Sequence, residues 1–102
     1  MTRTTTSPIE VLHNAAASRF EATVDGQLCV ANYHLVDGVM RIHHTAVPRA
    51  LTGRGIAARL VQAALAYAAA NDLDVEPWCS YVRTYMKRHP EAQALLPDGF
   101  RL

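Results

Sequence analysis

Two short segments of this chain hold residue types that can act on a substrate. The first is Leu51-Thr52-Gly53-Arg54-Gly55-Ile56-Ala57. Two glycines one residue apart let the backbone approach a ligand closely. If a helix starts just after them, its first N–H groups lack acceptors and the positive end of its dipole points outward. That combination binds anions, and a pyrophosphate suits it well. Arg54, and Arg59 one turn on, would add charge-assisted bonds. The second segment is Pro77-Trp78-Cys79-Ser80. A cysteine at a strand-to-helix junction has its thiol pKa lowered by the helix dipole, which makes Cys79 a candidate nucleophile. The competing reading is a small buried hydrophobe, the commoner state of free cysteine. A bare Gly-x-Gly likewise serves as a plain tight turn, with Thr52 or Gly53 as a cap.

The meaning of both segments rests on the elements around them. Phe20, Ala22 and Val24 alternate with Arg19, Glu21 and Thr23, a half-buried strand pattern. Asp25-Gly26 and Asp37-Gly38 then bracket Gln27 to Val36 and open Val39 to Val47. Asp-Gly pairs between strand-like runs predict hairpins, hence a three-strand antiparallel meander. Pro48 ends the third strand because it cannot donate to a ladder. From Ile56 the period becomes helical, with Ile56, Leu60, Ala64 and Tyr67 on one stripe. Leu73 to Trp78 reads as a strand beyond that helix, which completes a right-handed βαβ unit. Ser80 is placed to cap a last helix that ends at Pro90. The expected fold class is α+β, with residues 1–17 as a flexible N-terminal arm and 18–102 as one domain.

Composition narrows the functions. The 102 residues suffice for one domain, and 50% hydrophobic against 19% charged residues supports a packed core. A net charge of +1 with no basic stripe argues against nucleic acid as a partner. Cys29 and Cys79 form no CxxC pair and have no His partners at ligand spacing, so no metal is expected. Cys29, in mid-strand, reads as core. The first residues lack an apolar signal-peptide stretch, and Leu60 to Ala70 is too short to span a bilayer. A cytoplasmic protein with reduced thiols and no membrane partner is the expectation.

The motifs together resemble the GNAT superfamily of acetyl-CoA-dependent N-acetyltransferases, whose signature is [Gln/Arg]-x-x-Gly-x-[Gly/Ala] between a strand and a long helix. The chain is most similar to a small single-domain "N-acetyltransferase domain-containing" subfamily with strings like HTxVPxxLxGxGIAxxLVxxAL and PxCxYVxxYxxxHP. These stand here as His44-Thr45-Ala46-Val47-Pro48, Leu51 through Val61, Pro77 through Val82, and on through Tyr85 to Pro90. The resemblance spans roughly residues 19–96. It departs at Ala50, where the family has Gln or Arg, and at Thr52, where Arg is common; Arg49 and Arg54 are the nearest compensating cations.

The resemblance implies a minimal GNAT-like fold that binds acetyl-CoA and transfers its acetyl group to an amine. Val47, Thr52, Gly53, Arg54, Gly55, Ile56 and Ala57 would hold the cofactor, with Tyr85, Lys87 and His89 flanking its phosphates. A backbone N–H near Ala46 or Val47 would polarise the thioester carbonyl. The same strand is the usual source of a general base, and it carries His43 and His44. Alternation puts these on opposite faces, and the subfamily string favours His44, against a structural histidine of equal standing. Cys79 would accept the acetyl group covalently or lie beside it unreacted, direct transfer being the family's usual route. The acceptor, on a protein or a small molecule, and the oligomeric state are left open. The alternative from another class is a non-catalytic CoA- or acyl-CoA-binding module, which needs neither Cys79 nor His44.

Overall fold

The computed structural model describes residues 9–102. Five strands, β1 (Leu12–Asn14), β2 (Arg19–Val24), β3 (Gln27–Val36), β4 (Val39–Ala46) and β5 (Asp74–Pro77), form one sheet in sequence order. The first four pair antiparallel and β5 joins β4 in parallel. Both Asp-Gly turns form as expected: Asp25, Gly26, Asp37 and Gly38 all have positive φ, the geometry of type I′ hairpins. The long helix α1 (Ile56–Ala70) supplies the crossover to β5, and α2 (Ser80–Arg88) follows it.

One face of the sheet carries the core. Phe20, Ala22, Cys29, Ala31, Tyr33, Met40, Ile42 and Val75 point at α1, which buries Ile56, Leu60, Val61, Ala64, Leu65 and Ala68 against them. Full burial of Leu60 and Val61 stabilises the helix–sheet contact by about 1.5–3 kcal/mol each. Cys29 is core, as its strand position implies, and burial pushes its thiol pKa up.

Three sequence expectations change. Of the expected arm, residues 1–8 lie outside the described residues, but residues 12–17 are structured. Leu12–Asn14 pairs with β2, and Ala15–Ala17 makes a 3-10 turn capped by Asn14, whose Oδ1 accepts from the Ala17 N–H. A three-residue strand shows no alternation to read, yet His13 anchors it: its ring stacks on Phe20 at 4.2 Å and its Nε2 lies 2.7 Å from Tyr33 Oη. Second, the cap of α2 is Cys79, not Ser80. Cys79 keeps the extended backbone of the strand it follows (φ −100°, ψ 137°), so the helix begins at Ser80 itself, one residue earlier than a Ser80 cap implies.

The third change is the most consequential. Asn32 pairs with His44 but Tyr33 with Ile42, so His43 is an extra residue in β4, a β-bulge. The bulge inverts the alternation beyond it. Thr45 now sits opposite buried Ala31 on the α1 side, and His44 sits opposite Asn32 on the other. His43 stacks on His34 of β3 at 4.2 Å, on that same other face. The two histidines therefore share a face, contrary to simple alternation. Burial, with His34 and His44 nearby, holds the His43 pKa below its ordinary value.

Candidate functional site

The chain leaves β4 at Ala46, makes a 3-10 turn over Arg49–Leu51, and enters α1 through the glycine loop. Gly53 (φ 83°) and Gly55 (φ 77°) both occupy the left-handed region that costs other residues about 1–2 kcal/mol. Gly55 is itself the N-cap of α1 and has no side chain to cap with. Thr52 does not cap either, because its Oγ1 donates to the Arg49 carbonyl at 2.9 Å. The first helical bond runs from Arg59 N–H to Gly55 C=O, at 3.1 Å. The N–H groups of Ile56, Ala57 and Ala58 thus precede the helical ladder, unpaired in the way that makes a helix start receptive to anions.

In front of these amides lies a cleft of about 390 Å³, lined by Thr45, Val47, Leu51, Thr52, Gly53, Gly55, Ile56, Ala57 and Tyr81. Val47, Thr52, Gly53, Gly55, Ile56 and Ala57 are the loop residues singled out from sequence. A Cβ at either loop glycine would meet nothing within 4 Å, so the space beside the loop is open. The lining is mostly apolar, with the loop backbone and the hydroxyls of Thr45, Thr52 and Tyr81 as its polar groups, a composition suited to an extended ligand with an anionic end.

Four of the expected cofactor contacts stand outside the lining. Arg54 turns away, its Nη1 donating to Asp25 Oδ2 at 2.8 Å, and so ties the loop to the β2–β3 hairpin. Tyr85, Lys87 and His89 lie one to two turns further along α2. Tyr85 stacks on His89 at 4.0 Å, and His89 Nδ1 lies 2.8 Å from the Tyr85 carbonyl. That pair pins the C-terminal end of α2. Thr45, Leu51 and Tyr81 join the cleft unannounced. Thr45 was hidden because only the bulge turns it toward α1.

Thr45 also connects the cleft to Cys79. Its Oγ1 lies 3.5 Å from Cys79 Sγ. Burial raises the Cys79 pKa, but the Thr45 hydroxyl, the Val82 and Tyr81 amides and the Thr45 backbone together outweigh it. The thiol is held below its ordinary value. Neither α2 amide makes a geometric hydrogen bond to the neutral thiol, yet both belong to the first turn of a helix whose N-cap is Cys79. They stabilise the charged form when it appears. His44 is exposed on the opposite side of β4.

The site thus joins a strand-to-helix glycine loop that fronts orphan amides to a bulged β4 and a parallel β5. Residues 19–95 match the family model of the GCN5-related N-acetyl-transferases. The chain belongs to the GCN5-related N-acetyltransferase family. Among its curated relatives, protein NATD1 of Gallus gallus is 35% identical over 91 residues, with 86% of this chain and 83% of the relative aligned. Protein NATD1 of Homo sapiens is also 35% identical, over 86% of this chain and 80% of that one. In fold, the chain is similar to the NMR structure of a GCN5-like protein from Staphylococcus aureus (TM-score 0.72, 24% identity, 94% of each chain covered). The α+β architecture read from sequence is that of the family, as a small single-domain member.

Proposed function

We propose that this family member is an acetyl-CoA-dependent N-acetyltransferase. The observation that carries the reading is that the cleft at the start of α1 shares Thr45 with the thiol of Cys79. When bound, acetyl-CoA supplies an activated acetyl thioester. The amides of Ile56 and Ala57 and the Gly53–Gly55 backbone take its pyrophosphate, while Val47, beyond the last β3–β4 pair at Ala46, aligns the pantetheine arm. Arg54, exchanging Asp25 for phosphate, adds a bond at the loop, and Thr52, whose donors are held by the Arg49 carbonyl, contributes to the wall beside it. Tyr85, Lys87 and His89 supply outer contacts on the phosphate side.

Chemistry then falls to the residues beyond Thr45. The Cys79 thiolate attacks the acetyl carbon; the carbon–sulfur bond to CoA breaks, and CoA leaves as thiolate. A neutral amine next attacks the acetyl-cysteine carbon and expels the Cys79 thiolate, leaving an amide. As the amide forms the amine sheds one N–H proton, and His44 takes it: the bulge places it on the face of β4 away from the CoA cleft, where an amine approaches without displacing CoA.

Turnover of acetyl-CoA across an amine panel, read as free thiol released, tests the enzyme reading. Backbone amide shifts of residues 53–57 on CoA addition test the binding reading separately. Shifts at the loop with turnover abolished by Cys79→Ala are expected. Shifts without turnover for any amine would make the chain a CoA-binding module, and unmoved loop amides at saturating CoA would defeat both.

A further inference from the structure

The sheet face opposite α1 carries Arg41, His44 and Glu76, which the β3–β4 and β4–β5 registers place on one side, and Trp78 joins them through its contacts with Glu76 and Arg41. Trp78 is 60% exposed, an unusual place for the chain's single tryptophan. It is nonetheless held firmly. Its Nε1 donates to Glu76 Oε1 at 2.8 Å, Arg41 Nε donates to the same oxygen at 3.1 Å, and the Arg41 guanidinium lies 5.2 Å from the Trp78 ring centroid. An oriented but uncovered indole offers contact area whose ordering cost is already met.

Beside it opens a second cleft, of about 350 Å³, lined by Glu76, Pro77, Trp78, Arg83 and Phe100. Its far wall is anchored to the same junction as the first cleft, because the Arg83 N–H donates to the Cys79 carbonyl at 3.0 Å. The two clefts therefore flank the Trp78–Tyr81 segment with Cys79 between them. Polar groups in the second cleft come in both signs. Glu76 uses Oε1 for both of its hydrogen bonds and Oε2 for none among the described residues. Arg83 spends Nη1 on the Arg101 carbonyl at 3.2 Å and lies 5.8 Å from the Phe100 ring, which leaves its remaining donors for a ligand.

We infer that this second cleft is the acceptor subsite and takes a free aminocarboxylate with a flat apolar body, such as an aromatic amino acid. The inference rests on the acetyl-transfer reading above. Arg83 receives the carboxylate, Glu76 Oε2 the ammonium, and the Trp78 and Phe100 rings the body, so that the amine is presented at the Trp78–Cys79 step. One carboxylate beside two guanidinium groups disfavours polyamines and basic peptides, whose cations would face Arg41 and Arg83 without an anion of their own.

Trp78 reports on its own site, since all indole fluorescence comes from it. The full chain, without CoA, is titrated with L-phenylalanine, phenethylamine and 3-phenylpropionate. A saturable change with phenylalanine is expected, with both truncated compounds at least tenfold weaker. In Arg83→Gln phenylalanine should bind no better than phenethylamine; in Glu76→Gln, whose amide oxygen still accepts from Arg41 and Trp78, no better than 3-phenylpropionate. Phenethylamine binding as tightly as phenylalanine to the unaltered chain, or no saturable change with any of the three, overturns the inference. CoA-induced shifts of amides 53–57 are read on the same samples. Their absence beside an intact Trp78 response would count against acetyl-CoA and not against this subsite.

Discussion

The two clefts on either side of Cys79 are built from different materials. The one at the start of α1 is made mainly of backbone, orphan amides and two left-handed glycines, with three hydroxyl-bearing residues among apolar side chains. The one beside β5 is made of side chains, with a carboxylate, a guanidinium and two rings from residues 76 to 100. A backbone site offers the same amides whatever the neighbouring side chains are, so it suits a ligand part that never varies. A side-chain site is rewritten by single substitutions, so it suits the part that distinguishes one family member from another.

That contrast can be broken in several places. The largest effect is expected at the residue between the clefts. Cys79→Ala should lower acetyl transfer by more than about 100-fold while CoA affinity, measured by calorimetry, stays within about twofold. A loss of only a fewfold would make Cys79 a bystander and leave direct transfer, with His44 as base. Next comes the backbone cleft. Gly55→Val forces a branched side chain into φ 77° with nothing within 4 Å to clash with, so its cost of about 1–2 kcal/mol is conformational. Urea unfolding should show that loss, and CoA binding should fall with it; unchanged binding would mean that the loop amides are not the anion site.

A smaller effect concerns Thr45. Alkylation of a cysteine rises with pH until the thiol is fully ionised, so a lowered pKa moves that plateau to lower pH. Cys79 should be alkylated ahead of Cys29, whose pKa burial raises, and with a midpoint below that of an ordinary thiol. Thr45→Val removes one stabilising partner of the thiolate and should move the midpoint upward. No movement would assign the lowering to the α2 amides and the Thr45 backbone. The smallest effect is at Arg54. Its pair with Asp25 is solvent-exposed, and Arg54→Ala should cost at most about 0.5 kcal/mol in the same unfolding assay. A salt-dependent drop in CoA affinity in that variant would show that Arg54 trades Asp25 for phosphate.

Much of the framework was legible residue by residue. The Asp-Gly pairs announced both hairpins, the 3.6-residue period announced α1, and the glycines between strand and helix announced the anion cleft. Less legible was anything set by pairing across strands. β1 escaped notice because three residues carry no period, and what holds it is His13 packing on Phe20 and Tyr33, residues of two other strands. The bulge at His43 escaped for a related reason: nothing in Ile42-His43-His44-Thr45 marks an extra residue until β3 is laid alongside. Trp78, at the end of the expected strand, is no core residue; it lines the second cleft, and its N–H finds a partner in Glu76.

The division follows from the range of the forces involved. Turn type, the start of α1 and the placing of Cys79 where a strand meets a helix depend on residues within four positions of one another, so the sequence alone determined them. Whether Thr45 or His44 faces Cys79 depends on a one-residue slip between β3 and β4, settled by which register buries Ala31 and Ile42 against α1. Whether Glu76, Trp78, Arg83 and Phe100 meet depends on where β5, α2 and the C-terminal segment pack. Only the tertiary structure decided those, because contacts between distant residues gain their energy only once the intervening chain has folded.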